Sequence, residues 1–416
     1  MQRRGFCGIS SLRGDYYPQY PAKNPSGPPM RIWYVPSGRA STTVDQEGRS
    51  YRILKSTDEL LAIKPEWDRL WAAARAEYFL SFSSMYQSWN TIHRPQGAVL
   101  RCAVACDQQR LLAVLPMILH RHRLWQTAST CGPRATECCD ILIARSAESQ
   151  AIASALLEKF LVLVRPDHLE FDFVKLGSHL ETAMRTVRGL RVIETWEVDI
   201  PHADLKAERD WSSYEGSLGN RYRVDSSRIM RRLKDQGKVT VEVVSGMPTP
   251  LIDWLFSHKQ RWSERTNKRG AWVFSSSYRQ FLKTIFSSDP RYLVFALKLN
   301  EVPIAVILLA INTNSASGII STYDEAYKRF SPGRLLIESM MKHVFENYRS
   351  VDGGHLDIVF GVGTEAFKMH WSRGNVQRAR SYRIVTSRWG SARLRVKQVL
   401  AAARGQDVKS QDGIPG

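Results

Sequence analysis

The sequence predicts an α+β fold in which two halves of the chain repeat one order of helices and strands. Helical and strand-like hydrophobic patterns follow one another in the same sequence in residues 49–205 and 206–390. In the second half three strands come in direct succession before a helix, which is typical of an α+β layer and not of a doubly wound sheet. We therefore expect two tandem lobes, each with a mixed, largely antiparallel sheet flanked by helices.

The first half begins with helical spacing of apolar residues in 56–76. Ser56 or Thr57 is expected to cap its start, and Pro65 is expected to divide the segment into two short helices. Strand patterns at 98–106 and 111–119 are joined by the turn DQQR. The half ends with a helix at 146–164, a strand at 168–174, a short helix after Gly177 and a strand ending near Val198.

The second half begins with an arginine-rich helix over 220–236 that ends at Gly237, a residue type common after helix C-termini. A tight Asn-Glu turn is expected between the first two strands of a three-stranded meander. The remaining segments are predicted as a strand (238–244), two helices (250–266, 275–287), the meander (291–299, 302–311, 316–323), a helix (331–349), a strand (355–360), a short helix (364–371) and a strand (380–387).

Composition indicates a soluble globular protein. The 416 residues are 43% hydrophobic and 24% charged, and the longest uncharged apolar run, 302–311, is too short to cross a bilayer. Residues 1–48 are rich in Gly, Pro and Ser, so we expect a disordered leader, with Met30 as an alternative start. The twin arginine near the N-terminus precedes no apolar stretch, which favours a cytoplasmic location. Residues 391–416 are expected to form a basic tail.

The six cysteines show no CxxC spacing, which favours reduced thiols over a disulfide framework. Cys131, Cys138 and Cys139 lie near two histidines, but the spacing matches no zinc pattern, so no metal is expected. Part of the net charge of +19 lies in the flanks of the chain, and the rest is concentrated in 220–238 and 259–270. Such segments attract nucleic acid, nucleotide phosphates or an anionic surface, although solvated helix faces explain them equally well.

The stretch YKRFSPGRLL combines a helix start with positive charge. Ser331 is expected to cap the helix, Pro332 suits its first position, and Gly333 leaves the backbone accessible. The N–H groups of the first turn, together with Arg334 and Arg329, then form a site suited to phosphate. The alternative is an ordinary helix start with a tight turn.

Two further segments contain candidate chemical groups. His258 shares a helix face with leucines and Trp262, so it is either a general base or a hydrogen-bonded core residue. Asp357 lies within an apolar strand, so it is either used in chemistry or paired with Lys368 or an arginine. The motifs GxGxxG, GxxxxGK[ST] and GxSxG are absent, which argues against a P-loop NTPase or an elbow-type serine hydrolase.

Taken together and in this order, residues 212–386 resemble the GNAT-related acyltransferases of the CelD-like, polysaccharide-biosynthesis type, which are distant relatives of the Fem aminoacyltransferases. The residues that carry the resemblance are the arginine-rich helix ending at Gly237, His258 with Arg261 and Trp262, the NEVPIAV hairpin, Tyr323, Ser331-Pro332-Gly333 with Leu335 and Leu336, Asp357, Gly361, and Lys368 with Trp371. The first half resembles a degenerate lobe of the same type.

The resemblance implies a GNAT fold in which acyl-CoA lies in a cleft between the strands ASGIISTY and HLDIVF. The pyrophosphate would lie on the helix that starts at SPG, held by Ser331, Gly333, Arg334 and Leu335 with Arg329 beside them. The usual GNAT loop is Arg/Gln-x-x-Gly-x-Gly/Ala, whereas this chain has a single glycine and a proline there. This departure leaves aminoacyl-tRNA, the donor of Fem-type relatives, as an alternative to acyl-CoA.

The predicted function is therefore transfer of an acyl group, acetyl in the simplest case, from acyl-CoA to an amine or hydroxyl of a sugar or nucleotide-sugar precursor. The resemblance suggests His258 or Asp357 as the base and Tyr323 as the acid. Acceptor contacts would come from Arg261, Trp262, Lys368 and Trp371. The alternatives are a Fem-like aminoacyltransferase, whose arginine-rich helix would hold tRNA, and a non-catalytic GNAT-fold binding protein. Nucleic acid is expected only in the tRNA alternative.

Overall fold

The computed structural model describes residues 42–45, 47–108, 110–133, 137–206, 208–267, 270–387 and 390–391. Residues 1–41 of the predicted leader and residues 392–416 of the predicted tail lie outside the described part of the chain. Residues 42–44, which fall within the predicted leader, form an edge strand.

The fold is α+β, as predicted. Its strands are β1 Thr42–Val44, β2 Ser50–Leu54, β3 Val99–Leu100, β4 Cys102–Asp107, β5 Arg110–Leu115, β6 Met117–Arg121, β7 Gln126–Thr130, β8 Leu142–Ile143, β9 His168–Lys175, β10 Arg191–Ala203, β11 Val239–Ser245, β12 Tyr292–Leu299, β13 Val302–Ile311, β14 Ser315–Tyr323, β15 Asp357–Val359 and β16 Val376–Val385. The α-helices are α1 Thr57–Ala62, α2 Lys64–Ala74, α3 Phe82–Ser88, α4 Ser149–Val164, α5 His179–Thr186, α6 Trp211–Ser217, α7 Asn220–Lys234, α8 Thr249–Thr266, α9 Ser276–Ser288, α10 Pro332–Asn347 and α11 Ala366–Trp371.

The strands form two sheets. One has five strands in the order β1-β2-β4-β5-β8, and the other has eleven in the order β11-β12-β13-β14-β15-β10-β16-β9-β7-β6-β3. Most neighbours are antiparallel, but β7 pairs with β9 and β14 pairs with β15 in parallel. The sheets are therefore mixed and largely antiparallel, as predicted.

The two halves repeat one unit. A strand, a helix, a parallel neighbouring strand, a second helix and a final strand occur as β7-α4-β9-α5-β10 and again as β14-α10-β15-α11-β16, with the short strand β8 inserted between β7 and α4 in the first half. The final strands are exchanged, because β10 lies beside β15 and β16 lies beside β9. β10 and β16 also pair with each other, so the large sheet runs through both lobes without interruption.

The structure divides the two long strands predicted at 98–106 and 111–119. Each breaks at one residue, Arg101 or Pro116, and its two parts join different sheets. Proline lacks the N–H that a continuous ladder needs, which explains the break at Pro116. The first predicted helix also divides as expected at the proline, with Ser56 as the residue that caps α1 through a reciprocal hydrogen-bond pair with Glu59.

The central strands of the second half are buried on both faces. Val294, Ala296 and Val306 belong to the core cluster that includes the residues of α8 and α9. Phe295 and Ile307, which point the other way, pack in the cluster that includes α10. β14 also contributes residues to both clusters, so this packing holds it beside α10, and these two elements form the site described next.

Candidate active site between separating strands

The site forms where two parallel strands separate. β14 and β15 pair at Ser315↔Asp357 and end their pairing at Ser317↔Val359, after which β14 continues to Tyr323 without this neighbour. The pairing of β14 with β13 also skips Ile319, since Leu308 faces Ile320 and Leu309 faces Gly318. Ile319 is therefore a β-bulge, which turns the strand at the point of separation.

Two glycines face each other across this gap. A Cβ atom added to Gly361 would lie 3.4 Å from the carbonyl oxygen of Gly318, and one added to Gly318 would lie 3.6 Å from the carbonyl oxygen of Val359. Gly361 also has φ +74°, a conformation that other residues adopt at a cost. The gap is thus bounded by backbone.

A cavity of about 530 Å³ extends from this gap along β14 to the first turn of α10. Its walls come from β14, the start of α10, α8 and the loop after β15. From Gly318 to Tyr323, β14 advances about 3.3 Å per residue, so the two ends of the cavity lie roughly 16 Å apart. A long, narrow ligand with chemically different ends fits this shape.

The start of α10 forms one end of the cavity. The first-turn N–H groups of a helix have no intrahelical acceptor, and Pro332, Gly333 and Arg334 all line the cavity. Ser331 occupies the capping position with φ +44°, but its side chain makes no capping hydrogen bond, contrary to the predicted role. Gly333 packs beside Tyr323, since a Cβ on the glycine would lie 3.4 Å from Cδ1 of that ring.

The basic residues near α10 differ in position. Lys328 is exposed and lines the cavity, whereas Arg329 is exposed with its guanidinium carbon 4.7 Å from the ring centroid of Phe330. Arg334 lines the cavity and donates a hydrogen bond to Ser226 Oγ on α7 at 2.9 Å. Leu335 is 2% exposed and packs in the core. Lys328 was not among the residues predicted from the sequence, although it lies within the stretch YKRFSPGRLL from which the other site residues were predicted.

Tyr323 lies at the α10 end of the cavity, away from the gap. Burial, followed by the neighbouring Glu325 carboxylate, raises the pKa of the Tyr323 hydroxyl. This position places its ring beside the helix start, where we expect it to contact a ligand rather than exchange a proton at the gap.

His258 and Arg261 lie outside the lining of this cavity, whereas Trp262 is part of it. Nδ1 of His258 is 3.0 Å from the carbonyl oxygen of Trp254, whose ring stacks on the imidazole with centroids 3.9 Å apart. Arg261 is exposed. On the same helix, Lys259 lines the cavity and holds its ammonium 4.2 Å from the centroid of the Trp262 ring.

Asp357 forms an ion pair with Lys206, 2.7 Å between Oδ2 and Nζ, and does not line the cavity. The predicted alternative of a structural salt bridge therefore describes its contacts, with Lys206 as the partner instead of Lys368.

Lys368 and Trp371 have different surroundings although they lie one turn apart. Lys368 lines the cavity, donates to the carbonyl oxygen of Val362 at 2.6 Å and pairs with Glu365 at 2.9 Å. Burial lowers the pKa of its ammonium. Trp371 is 1% exposed and packs against Trp211. The contacts of Lys368 fix the loop that follows the gap, and Trp371 is a core residue.

A second group of charged residues lies on the far side of the gap, and sequence reasoning missed it. A small cavity of about 20 Å³ there is lined by Gly318 and Gly361 together with Glu77, Glu137 and Lys175 from the first half. Glu137 is 6% exposed, and its Oε1 accepts a hydrogen bond from the Tyr278 hydroxyl at 3.0 Å. No spacing in the sequence joins these residues; the only signal was an acid or a lysine within otherwise apolar segments.

In the described part of the chain, no group of three or more His, Cys, Asp and Glu side chains is placed to hold an ion. The five cysteines in that part are free thiols. Among its helices, none is long and apolar enough to cross a membrane.

Comparison with known proteins gives a family match for the segment around the cavity. Residues 220–369 match the family described as the acetyltransferase (GNAT) domain, a segment that contains β14, the bulge, α10 and β15. No match was found among curated protein sequences. This segment of the second half is therefore similar to the GNAT acetyltransferase domain.

Several solved structures align with most of the chain, and FemX, with a TM-score above 0.5, shares its fold. The structure of FemX aligns with TM-score 0.51 and 11% identity, covering 77% of this chain and 95% of FemX. A tandem GNAT protein from the clavulanic acid biosynthesis pathway aligns with TM-score 0.47, 12% identity and coverage of 82% and 99%. L-PGS from Bacillus licheniformis aligns with TM-score 0.47, 11% identity and coverage of 85% and 98%. At such identities the similarity concerns the fold alone.

Proposed function

We propose that this protein is an N- or O-acyltransferase that moves an acyl group from acyl-CoA to an amine or hydroxyl of a sugar or nucleotide-sugar precursor. The observation that supports this most directly is the cavity along β14, which joins a helix N-terminus to a gap between two separated parallel strands. The acetyltransferase domain match over the same residues supports the donor.

The α10 end of the cavity suits the pyrophosphate of CoA. Backbone N–H groups at a helix start and the positive end of the helix dipole favour phosphate oxygens. Lys328, Lys259 and Arg334 line the same cavity and add positive charge. Ser331 and Gly333 shape the turn, whereas Arg329 would act only at longer range.

The edge of β14 beyond Ser317 suits the pantetheine arm. Because β15 no longer pairs with it there, the backbone groups on that edge are available to an extended, amide-containing chain. Such a chain would run toward the bulge at Ile319, whose backbone lies outside the regular ladder with β13. We place the thioester there, so that the bulge polarises its carbonyl.

A second donor, aminoacyl-tRNA, is favoured by one observation on this chain. α7 carries Arg228, Arg231, Arg232 and Lys234, all on the protein surface, and Ser226 of the same helix contacts Arg334 at the cavity. A basic helix beside the donor cavity suits an RNA backbone.

The donor is identified by measuring thermal unfolding with CoA, acetyl-CoA, a long-chain acyl-CoA and bulk tRNA at two salt concentrations. A ligand at about 100 times its Kd stabilises the folded protein by roughly 2.7 kcal/mol. We expect stabilisation by CoA compounds. Stabilisation by tRNA alone, lost at the higher salt, would instead select aminoacyl-tRNA.

Two neighbouring charge reversals locate the donor. Lys328→Glu introduces a carboxylate into the cavity, whereas Arg329→Glu changes an adjacent exposed residue outside it. We expect the first to weaken CoA binding at least tenfold and the second to weaken it less than threefold. Turnover is then followed as CoA thiol release from acetyl-CoA with hydroxylamine, a small nucleophile that needs no acceptor recognition. Equal effects of the two variants would contradict the assignment.

A further inference from the structure

We propose that a second large cavity, in the first half of the chain, binds the acceptor and that Glu137 takes the acceptor's proton. The cavity of about 610 Å³ is bounded by α2, the strand end at β8, the starts of α4 and α5, and the end of β9. The acceptor class it suits is a small polar molecule with an anionic group near its amine or hydroxyl. This inference rests on the proposed acyl transfer.

Three cavities adjoin in a row through the gap. The donor cavity and the small one share Gly318, Gly361 and Val362. The small cavity and the large one in the first half share Glu77, Phe79 and Lys175. A donor in the first cavity and an acceptor in the large one would therefore meet at the gap. The small cavity, about 20 Å³, has room for a group the size of one water, such as an amine.

Glu137 is placed to act on that group. It lines the small cavity together with Gly318 and Gly361, and it is 6% exposed. Tyr278, which donates to its carboxylate, is 2% exposed, and burial followed by the Glu137 charge raises the pKa of the tyrosine hydroxyl. Tyr278 therefore stays protonated and holds the carboxylate in one orientation.

Glu77 and Lys175 form an ion pair at the passage between the small and large cavities. Burial, the largest single effect, would lower the pKa of Lys175, but Glu77, Cys138 and Asp140 together outweigh it and the pKa is raised. The lysine is therefore a cation at neutral pH. We assign this pair the role of orienting the acceptor, because both side chains border the path that it takes.

The outer part of the large cavity suits an anionic group. Arg145 is exposed on its wall, and His179 begins α5 there. Arg75 also lines it, held by a two-fold hydrogen bond to Asp352 at 2.5 and 2.7 Å. The acids on this wall are engaged elsewhere: Glu77 pairs with Lys175, and Asp140 accepts from two backbone N–H groups while burial raises its pKa.

The transfer step balances with these groups. The lone pair of the acceptor nitrogen or oxygen attacks the thioester carbonyl carbon, forming the N–C or O–C bond as the C–S bond breaks. The proton of the acceptor passes to the Glu137 carboxylate, and the electron pair of the C–S bond leaves on the CoA sulfur. Glu137 then returns the proton to the thiolate, directly or through water, so that CoA leaves as a thiol.

Glu137→Gln tests the base. We expect hydroxylamine acetylation to fall at least a hundredfold while CoA binding stays within twofold, since general bases contribute about 10²- to 10⁴-fold. Glu158→Gln, at an exposed glutamate on α4, serves as the control.

Tyr278→Phe is the second variant. Because it removes a hydrogen-bond donor to the Glu137 carboxylate, it should move the acid limb of the pH–rate profile to higher pH. A merely structural role would leave that profile unmoved. Glu137→Gln with normal CoA binding and turnover would overturn the assignment.

A paired panel tests the acceptor class: glucosamine with glucosamine 6-phosphate, and serine with phosphoserine. We expect at least one phosphorylated member to be acetylated with kcat/KM at least tenfold above its neutral partner. Arg145→Glu should raise its KM tenfold and leave the KM for acetyl-CoA unchanged, with Arg188→Glu, an exposed arginine outside all three cavities, as the control. Acetylation of hydroxylamine but of no phosphorylated member would overturn this inference and leave the proposed function intact. No acetylation of hydroxylamine and no CoA binding would remove both.

Discussion

Replacing each of the two facing glycines by alanine tests whether the gap is the passage between donor and acceptor. The two substitutions differ in the backbone strain that they introduce, so their effects on stability and on turnover can be told apart. Gly361 has φ +74°, a conformation that costs an L-residue about 1–2 kcal/mol. Its added methyl would also lie 3.4 Å from the Gly318 carbonyl oxygen, a close contact that requires a small shift. Gly361→Ala should therefore destabilise the protein by about 1–2 kcal/mol or slightly more.

Gly318→Ala is the matched substitution. No left-handed φ is recorded at Gly318, and its added methyl would make an ordinary contact of 3.6 Å with the Val359 carbonyl oxygen. We expect a change in the free energy of unfolding below about 0.5 kcal/mol, the range typical of substitutions that create no strain. Both methyl groups nevertheless enter the space between β14 and β15.

Both variants should therefore slow acetyl transfer, and only one should lose stability. Unfolding is followed in urea. An unchanged slope of the free energy of unfolding against urea concentration would show that each variant exposes the same surface on unfolding as the wild type. Turnover is followed as thiol release from acetyl-CoA with hydroxylamine, and we expect a loss of about tenfold or more, equal to roughly 1.4 kcal/mol in the barrier. Wild-type turnover in Gly318→Ala would refute the passage through the gap. Equal destabilisation of both variants would refute the argument from φ.

Three further predictions follow from the described contacts. Asp357→Asn removes the ion pair with Lys206, whose side chain is 52% exposed, so stability should change by less than about 1 kcal/mol and turnover should stay within twofold; a hundredfold loss would restore Asp357 as a catalytic candidate. Lys368→Met leaves the Val362 carbonyl oxygen without its hydrogen-bond donor, so the free energy of unfolding in urea should fall by about 1–3 kcal/mol. An unchanged urea midpoint would show that Lys368 does not fix the loop. Burial lowers the pKa of His343, His355 and His370 from the ordinary 6.5. Below pH 6.5 the unfolded chain therefore binds more protons than the folded protein, and the free energy of unfolding should fall between pH 6.5 and 5. His343→Gln should reduce this pH dependence, and a free energy of unfolding that rises on acidification would contradict the argument.

Local pattern predicted much of the fold because its causes lie within short segments. The capping residue of α1, the division at Pro65 and the Asn300-Glu301 turn, where both residues have positive φ, follow from residue types alone. The exchange of β10 and β16 between the lobes does not, since it depends on pairing between strands almost two hundred residues apart.

The candidate site likewise combines residues that local sequence pattern predicted with residues that it did not. The start of α10 was predicted because a Ser-Pro-Gly-Arg stretch has local meaning, and the structure places it at the end of the cavity. Glu77, Glu137 and Lys175 were not, because their proximity to the gap results from how the first half packs against the second. His258 was selected for its chemistry, yet its neighbours on the helix place it against Trp254 and outside the cavity lining.

Hydrogen–deuterium exchange with and without CoA tests most directly whether the cavity along β14 is the donor site. Bound CoA should slow exchange in peptides that cover the start of α10, residues 331–337, and the free edge of β14, residues 318–323. The peptides of α5 and β9 in the first half should exchange as before. Slowed exchange confined to α7, or none in either predicted segment at saturating CoA, would contradict the account.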